Sequence, residues 1–439
     1  MAPVQAQRDR REILASRLAK ARQLTDSLFH QLHPAALLER PIPERHRLIF
    51  YLGHLEAFDK NLMTQAECRP RPPQETLDRL LAFGIDPMDG ELPHEPVSAW
   101  PSEREISAYG ARAREAVDRC LSESGIEDGR PDAASLFEIA VEHRLMHAET
   151  LAYAMHRLPH EQKLPPPEFQ LPPAAALPAA AMIQVPAGRA TLGLDREAGF
   201  GWDNEFEAHE LPVPAFRVGA LMVTNGEFLD FVRARGYEEK SHWSGPNWEW
   251  IRKSGRRHPA FWRSEPSGWL FRGMFNERPL PMEEPVWVSH AEAEAYGRWK
   301  GMRLPTEAQW HRVAYGTPDG DERDYPWGDQ APTIRHGNFD SHLWDPTPVG
   351  AYPEGRSAFG AYDTLGNGWE WTSTVFAPFE GFQAYPHYRG YSADFFDGKH
   401  FVLKGGSPRT DACMLRRSFR NWYQPRYSHV YAGFRLVES

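Results

Sequence analysis

Cysteine is scarce in this chain. Cys68, Cys120 and Cys413 stand far apart among 439 residues and form no C-x-x-C pair. So sparse and odd a set argues against a disulfide framework and for a reducing compartment. Long apolar runs are missing as well. No stretch approaches the roughly 20 residues that span a bilayer, and the opening MAPVQAQRDRREILASRL lacks the apolar centre of a signal peptide. No run of lysine or arginine stands out, and the formal charge is −10, so neither nucleic acid nor a membrane is an expected partner. The expected location is the cytoplasm. No internal repeat is visible.

What the chain does have changes along its length. Apolar residues recur with helical period at Ile13, Leu14, Leu18, Ala21, Leu24 and Leu28, which predicts a helix over 9–31. The same pattern predicts helices over 44–66 and 132–158, and PSEREISAYGARAREAVDRCLSE (101–123) adds a capping-box spacing at Ser102 and Glu105. Four amphipathic helices suggest a four-helix bundle over 1–163. The stretch 164–182, LPPPEFQLPPAAALPAAAM, reads as a semi-rigid linker. Residues 183–439 turn to glycine, proline, tryptophan and short β-prone runs such as MIQVPAGRATLG and FVLKGGS. One clear helix, 289–301, interrupts them, so this part is expected to be α+β with much irregular loop and few regular strands.

The bundle holds the first chemical signal, VEHRLMHAETLAY. It places His143 and His147 four residues apart. The pair alone means little, because 19 histidines in 439 residues make about one H-x-x-x-H by chance. The surroundings say more. Leu136, Ala140, His143, His147, Leu151 and Ala154 share one helical face, and Tyr51, His54, Phe58 and Leu62 share another. Both faces should point inward. A single histidine on such a face is usually a hydrogen-bonded core residue. Three imidazoles converging from two helices suit Fe(II) or Zn(II), and bundle cores commonly hold such sites. Glu149 follows His147 by two residues and points to another side of the helix, so it is not an evident ligand.

Four stretches then occur in order: PVWVSHAEAEAYGRWKGMRLPTEAQW (285–310), DTLGNGWEWTS (363–373), VLKGGS (402–407) and AGFRLV (432–437). Together they resemble the formylglycine-generating-enzyme fold, a C-type-lectin-like, sulfatase-modifying-factor domain. FYLGHLEAFD and HRLMHAE resemble a DinB-type bundle. The two in this order are similar to the sulfoxide synthases of ergothioneine biosynthesis and to selenoneine synthase, with the texture of PIPERHRLIFYLGHLEAFD nearest the latter. The resemblance implies one Fe(II) held by His54, His143 and His147, with O2 as co-substrate. It implies coupling of a chalcogen nucleophile to C2 of the imidazole of hercynine, a C–Se bond from a selenosugar or a C–S bond from cysteine. It also implies that Asn421 and Trp422 bind hercynine, since an indole face attracts a trimethylammonium group, and that a tyrosine supplies a proton. Tyr385, Tyr388 and Tyr391 lie in one loop, and Tyr391 is the candidate.

Departures from the family pattern carry information. Thr410 stands where a first copper-binding cysteine would precede Cys413, which argues against a copper oxidase and makes Cys413 a core residue. Relatives that use γ-glutamylcysteine have an Asp and an Arg where this chain has Tyr423 and Tyr427. An anionic dipeptide would lose its charged partners there. Tyr423, Tyr427 and Tyr431 would instead form an aromatic wall against an uncharged sugar. Met146 replaces a glutamine that helps hold hercynine in some relatives. Asn367 and Glu370 lie in a motif through which the fold can hold a structural Ca2+. Two other function classes remain open: a zinc-dependent thiol transferase built on the bundle, and a binding module without catalysis.

Overall fold

The computed structural model describes residues 2–64, 75–82, 95–123, 131–170, 178–179 and 181–438. The chain divides into two compact units, Met1–Pro167 and Glu168–Ser439. The division falls inside the stretch read as a linker. The Leu164 N–H donates to the Gln31 carbonyl at 2.8 Å in the first unit. Phe169 packs edge-on against Phe275 in the second.

Five helices build the first unit among the described residues: α1 (Ala2–His30), α2 (Leu48–Met63), α3 (Glu75–Ala82), α4 (Glu103–Glu123) and α5 (Pro131–Arg157). Four answer to the expected ones, and α3 is additional. On α1, Leu14, Leu18, Ala21 and Leu28 are buried, whereas Ile13 is 57% exposed. Ile13 lies one residue, and so about 100°, off the buried row. The capping box of α4 forms as spaced: the Ser102 N–H donates to Glu105 Oε2 at 2.9 Å, and the Glu105 N–H to Ser102 Oγ at 3.4 Å. Cys120 on α4 is disulfide-bonded. So sparse and odd a set of cysteines had argued against a disulfide framework, but a count does not measure distance in a folded bundle.

The inward faces of α2 and α5 carry charge as well as apolar groups. Arg144 on α5 is wholly buried. Its guanidinium donates to both oxygens of Glu56, at 2.9 and 3.0 Å, and to Asp59 Oδ2 at 2.6 Å. Arg114 of α4 reaches the same Glu56 at 2.7 Å and Asp26 of α1 at 2.6 Å. One ionic network therefore ties all four long helices. Burial opposes ionisation of Glu56, yet Arg144 and Arg114 outweigh it and hold the carboxyl below its ordinary range.

The second unit contains short strands among its described residues: β1 (Met182–Val185), β2 (Gly188–Leu192), β3 (His209–Val213), β4 (Phe216–Gly219), β5 (Trp262–Glu265), β6 (Gly268–Arg272), β7 (Glu277–Pro279), β8 (Met302–Arg303), β9 (Gly368–Val375), β10 (Phe401–Gly406), β11 (Asn421–Tyr423), β12 (Ala432–Gly433) and β13 (Val437–Glu438). They form two four-stranded sheets, β1-β4-β13-β8 and β11-β10-β9-β12, a three-stranded β5-β6-β7 and the hairpin β2-β3. Met182, placed at the end of the linker from sequence, opens the first of these sheets. Four helices pack with the sheets: α6 (Asn225–Arg233), α7 (Gly245–Ser254), α8 (His290–Lys300) and α9 (Glu307–Tyr315). Only α8 was expected. The others span nine or ten residues, too short for periodicity to single out, though Thr224/Glu227 and Thr306/Gln309 form capping boxes.

The recognised motifs meet inside this unit. Glu370 of the NGWEW stretch and Arg435 of AGFRLV are fully buried and pair through both carboxylate oxygens, at 2.6 and 2.7 Å. Asn367 adopts a left-handed φ of +65°. Its Oδ1 accepts the Thr347 N–H at 2.7 Å, and its Nδ2 donates to the Thr347 carbonyl at 2.9 Å. Both side chains singled out for Ca2+ thus already have partners within the fold. No described helix is long and apolar enough to cross a membrane.

Arg144→Met is expected to destabilise the protein by about 3–5 kcal/mol, because Glu56 and Asp59 remain buried with fewer partners. Replacing Arg144, Glu56 and Asp59 together by apolar residues of similar volume should recover most of that loss. Urea denaturation followed by far-UV circular dichroism checks both outcomes.

Candidate metal centre and substrate residues

The bundle delivers three imidazoles to one point. Among the described residues, His54, His143 and His147 form the only group of metal-ligating side chains of this kind, with ligand atoms all within 4.8 Å of one another. Each is 2–3% exposed. His143 Nε2 and His147 Nε2 lie 3.1 Å apart. Two nitrogens each about 2.1 Å from one ion and at a right angle would be about 3.0 Å apart.

The neighbours set the direction of each ring. His54 Nδ1–H donates to the Leu81 carbonyl at 2.7 Å, which leaves the buried His54 Nε2 with no hydrogen-bond partner. A backbone acceptor on one ring nitrogen is the usual way to aim the other at a metal. Phe58 stacks on His143 with ring centroids 3.4 Å apart, and Phe50 stacks on His54 at 4.6 Å. Burial lowers the His54 pKa to about 4. Burial first, and neighbouring imidazoles second, lower His143 and His147 well below the ordinary range. All three are held neutral, the form that ligates. Glu149 is buried but is not part of the group.

In the second unit the expected substrate residues fall into two aromatic groups. Asn421, Trp422 and Tyr423 make up β11, whose neighbours alternate in facing. Trp422 stacks on Phe376 at 4.2 Å and meets the edge of Tyr391 at 5.4 Å. Tyr391 is 8% exposed and stacks on Trp202 at 3.9 Å. Tyr423 stacks on Tyr427, with centroids 5.2 Å apart and planes within 2°. Tyr431 belongs to neither group. It is fully buried against Trp287 at 4.6 Å, so the expected wall of three tyrosines reduces to two. Asn421 Oδ1 accepts the Trp422 N–H at 2.9 Å. Tyr385 donates its phenol proton to the Gly201 carbonyl. Cys413 is exposed, so it is not the core residue expected from sequence. The adjoining Asp411 turn carries it outward, its Oδ1 capping the Cys413 N–H at 3.0 Å.

Comparison with known proteins agrees with this division. Residues 168–439 match the sulfatase-modifying factor enzyme 1-like domain, and residues 17–151 match the DinB superfamily. A hercynine oxygenase of Mycolicibacterium smegmatis is 33% identical, over 97% of this chain and 99% of that protein. One from Mycobacterium tuberculosis is 44% identical over 54% of this chain and 55% of its own length. Ergothioneine biosynthesis protein 1 of Neurospora crassa is 29% identical over 94% of this chain and 56% of its own length. The chain thus spans about half the length of two of these relatives and nearly all of the third. The chain belongs to the hercynine oxygenase family.

Within this family member, four residues escaped the reading of the sequence. The Leu81 carbonyl is a backbone atom on an unexpected helix, and composition cannot reveal it. Trp202 and Asp203 lie in GWDNE, where Asp203 Oδ1 accepts the Ser392 hydroxyl at 2.5 Å, beside Tyr391. A buried Trp-Asp-Asn-Glu run in a loop was the available signal. Lys404 is also buried, and burial lowers its pKa to about 8. Its ammonium donates to the Arg417 carbonyl at 2.9 Å and the Phe419 carbonyl at 2.5 Å, just ahead of β11.

His54→Ala, His143→Ala and His147→Ala are each expected to abolish stoichiometric metal binding while keeping the helical signal of the bundle. Metal analysis of iron-reconstituted protein, with circular dichroism on the same samples, checks this. Retention of metal by any two of the three variants would dismiss the triad.

Proposed function

We propose that this chain is an O2-dependent, non-haem iron enzyme that joins a chalcogen nucleophile to C2 of the imidazole of hercynine. The observation that supports it most is the convergence of three buried, neutral imidazoles in a member of the hercynine oxygenase family. The donor set fits Fe(II), and three protein ligands leave further coordination positions open. Bound there, Fe(II) would supply O2 activation and a shared meeting point for the chalcogen and the imidazole carbon.

The chain's own residues would do the rest. The indole of Trp422 offers a π face to the trimethylammonium group. Asn421, whose Oδ1 already accepts from the Trp422 N–H, keeps its amide NH2 to donate to a carboxylate or an imidazole nitrogen. Tyr391, packed between Trp202 and Trp422, would hold the proton that the reaction needs. Tyr391→Phe is expected to lower kcat by about 100-fold or more, with no loss of thermal stability, as steady-state kinetics and a melting curve would show.

The relatives favour sulfur as the chalcogen. Their names place them at hercynine and at ergothioneine, a sulfur compound, so cysteine is the first donor to consider. A selenosugar is the second reading, supported by the stacked, uncharged pair Tyr423 and Tyr427. That pair stands where a charged dipeptide would need an Asp and an Arg, which disfavours γ-glutamylcysteine. The deciding experiment gives iron-loaded protein hercynine with equal amounts of cysteine, selenosugar and γ-glutamylcysteine, with and without O2. Mass spectrometry is expected to find an O2-dependent cysteine or selenosugar adduct. No O2-dependent adduct with any donor would return the bundle to the zinc-dependent thiol transferase.

A further inference from the structure

We infer that α3 is a positioning element for the metal centre, clamped by Asp78, and that its docking sets the direction and tautomer of His54. The inference rests on the reading of the triad as a metal site. The geometry has two parts. Near one end of α3, the Leu81 carbonyl accepts His54 Nδ1–H at 2.7 Å. One turn earlier, Asp78 accepts two hydrogen bonds from Lys60 Nζ of α2, at 2.9 and 3.1 Å, and one from the Tyr109 hydroxyl of α4, at 2.6 Å. Lys60 and Asp78 are both only 12% exposed at their side chains. The pair is therefore shielded from much of the solvent screening that weakens a surface ion pair.

Gly53, the residue before His54, makes the close approach possible. A Cβ there would come within 2.6 and 2.7 Å of the Leu81 methyl groups and 3.0 Å of Ile106. A side chain at 53 displaces the buried Leu81 side chain from its seat against α2, and the Leu81 carbonyl is inferred to shift with it. With that acceptor displaced, the His54 ring loses the contact that keeps its proton on Nδ1 and its Nε2 lone pair toward His143 and His147. The clamp residues themselves touch neither metal nor substrate.

The test uses Co(II) as the probe, bound to metal-free full-length protein and titrated against a chelator. Wild type, Gly53→Ala, Asp78→Ala and Asp78→Asn are compared. Loss of a hydrogen-bond partner behind a ligating histidine weakens metal binding roughly 10- to 100-fold, and Gly53→Ala and Asp78→Ala are expected in that range. Asp78→Asn keeps an acceptor for Tyr109 and should fall between wild type and Asp78→Ala. Gly53→Ala separates positioning from instability, because alanine is the better helix former. Its circular dichroism should stay native while affinity falls. Nitrogen-15 spectra of the histidine rings add a second readout, in which the Nδ1–H signal of His54 should give way to a tautomer mixture in both variants. Wild-type affinity in Gly53→Ala and Asp78→Ala, with an unchanged His54 tautomer, would overturn the inference. Failure of the wild type to bind Co(II) would instead overturn the metal site itself.

Discussion

The guanidinium of Arg144 is the constraint on which the bundle's site depends. It sits on α5 between His143 and His147, and it is paired with Glu56 and Asp59, which follow His54 along α2. A planar fork held by two buried carboxylates has few alternative positions. Sliding one helix by a single turn would move a side chain about 5.4 Å, more than the 4.8 Å within which the triad's ligand atoms gather. Every such slip would also leave a buried charge unpaired. The ionic network thereby sets the register in which three imidazoles meet, whatever its net contribution to stability.

The second unit uses the same device at a different place. Glu370 and Arg435 come from motifs more than sixty residues apart, and Arg435 also donates to the carbonyls of Gly219, Ala220 and Tyr362. One buried arginine thus ties β9 to the β4 turn and to the closing strands. Around this frame the aromatic residues sort by strand alternation. Trp422 faces Phe376 and Tyr391, and Tyr423 pairs with Tyr427. The two neighbours on β11 thus enter different aromatic groups.

Burial is the shared physical condition. At the histidine triad it lowers imidazole basicity and keeps the rings neutral. At Lys404 it is opposed by the negative charges of Glu307 and Glu205, while the carbonyl partners order the chain entering β11. In each case a polar group pays a desolvation penalty and is then given a defined partner, so its direction becomes narrow.

Periodicity in the sequence was enough to place four long helices, because an amphipathic stripe over many residues has one favourable face. It also put His54, His143 and His147 inward, since each falls on such a stripe. Short helices such as α3, α6 and α9 left no comparable pattern, and only the capping boxes of α6 and α9 were legible. Ile13 and Tyr431 were misplaced because an apolar or aromatic residue type does not state its face. The sequence by itself determined the order of the two domains, the family and the inward placing of three histidines, all of which depend on local pattern and motif order. Only the tertiary structure decided the Arg144 register, the Leu81 carbonyl behind His54 and the two aromatic groups around β11. Those depend on residues distant in the chain, on backbone atoms common to every residue, and on which side of a strand each ring takes.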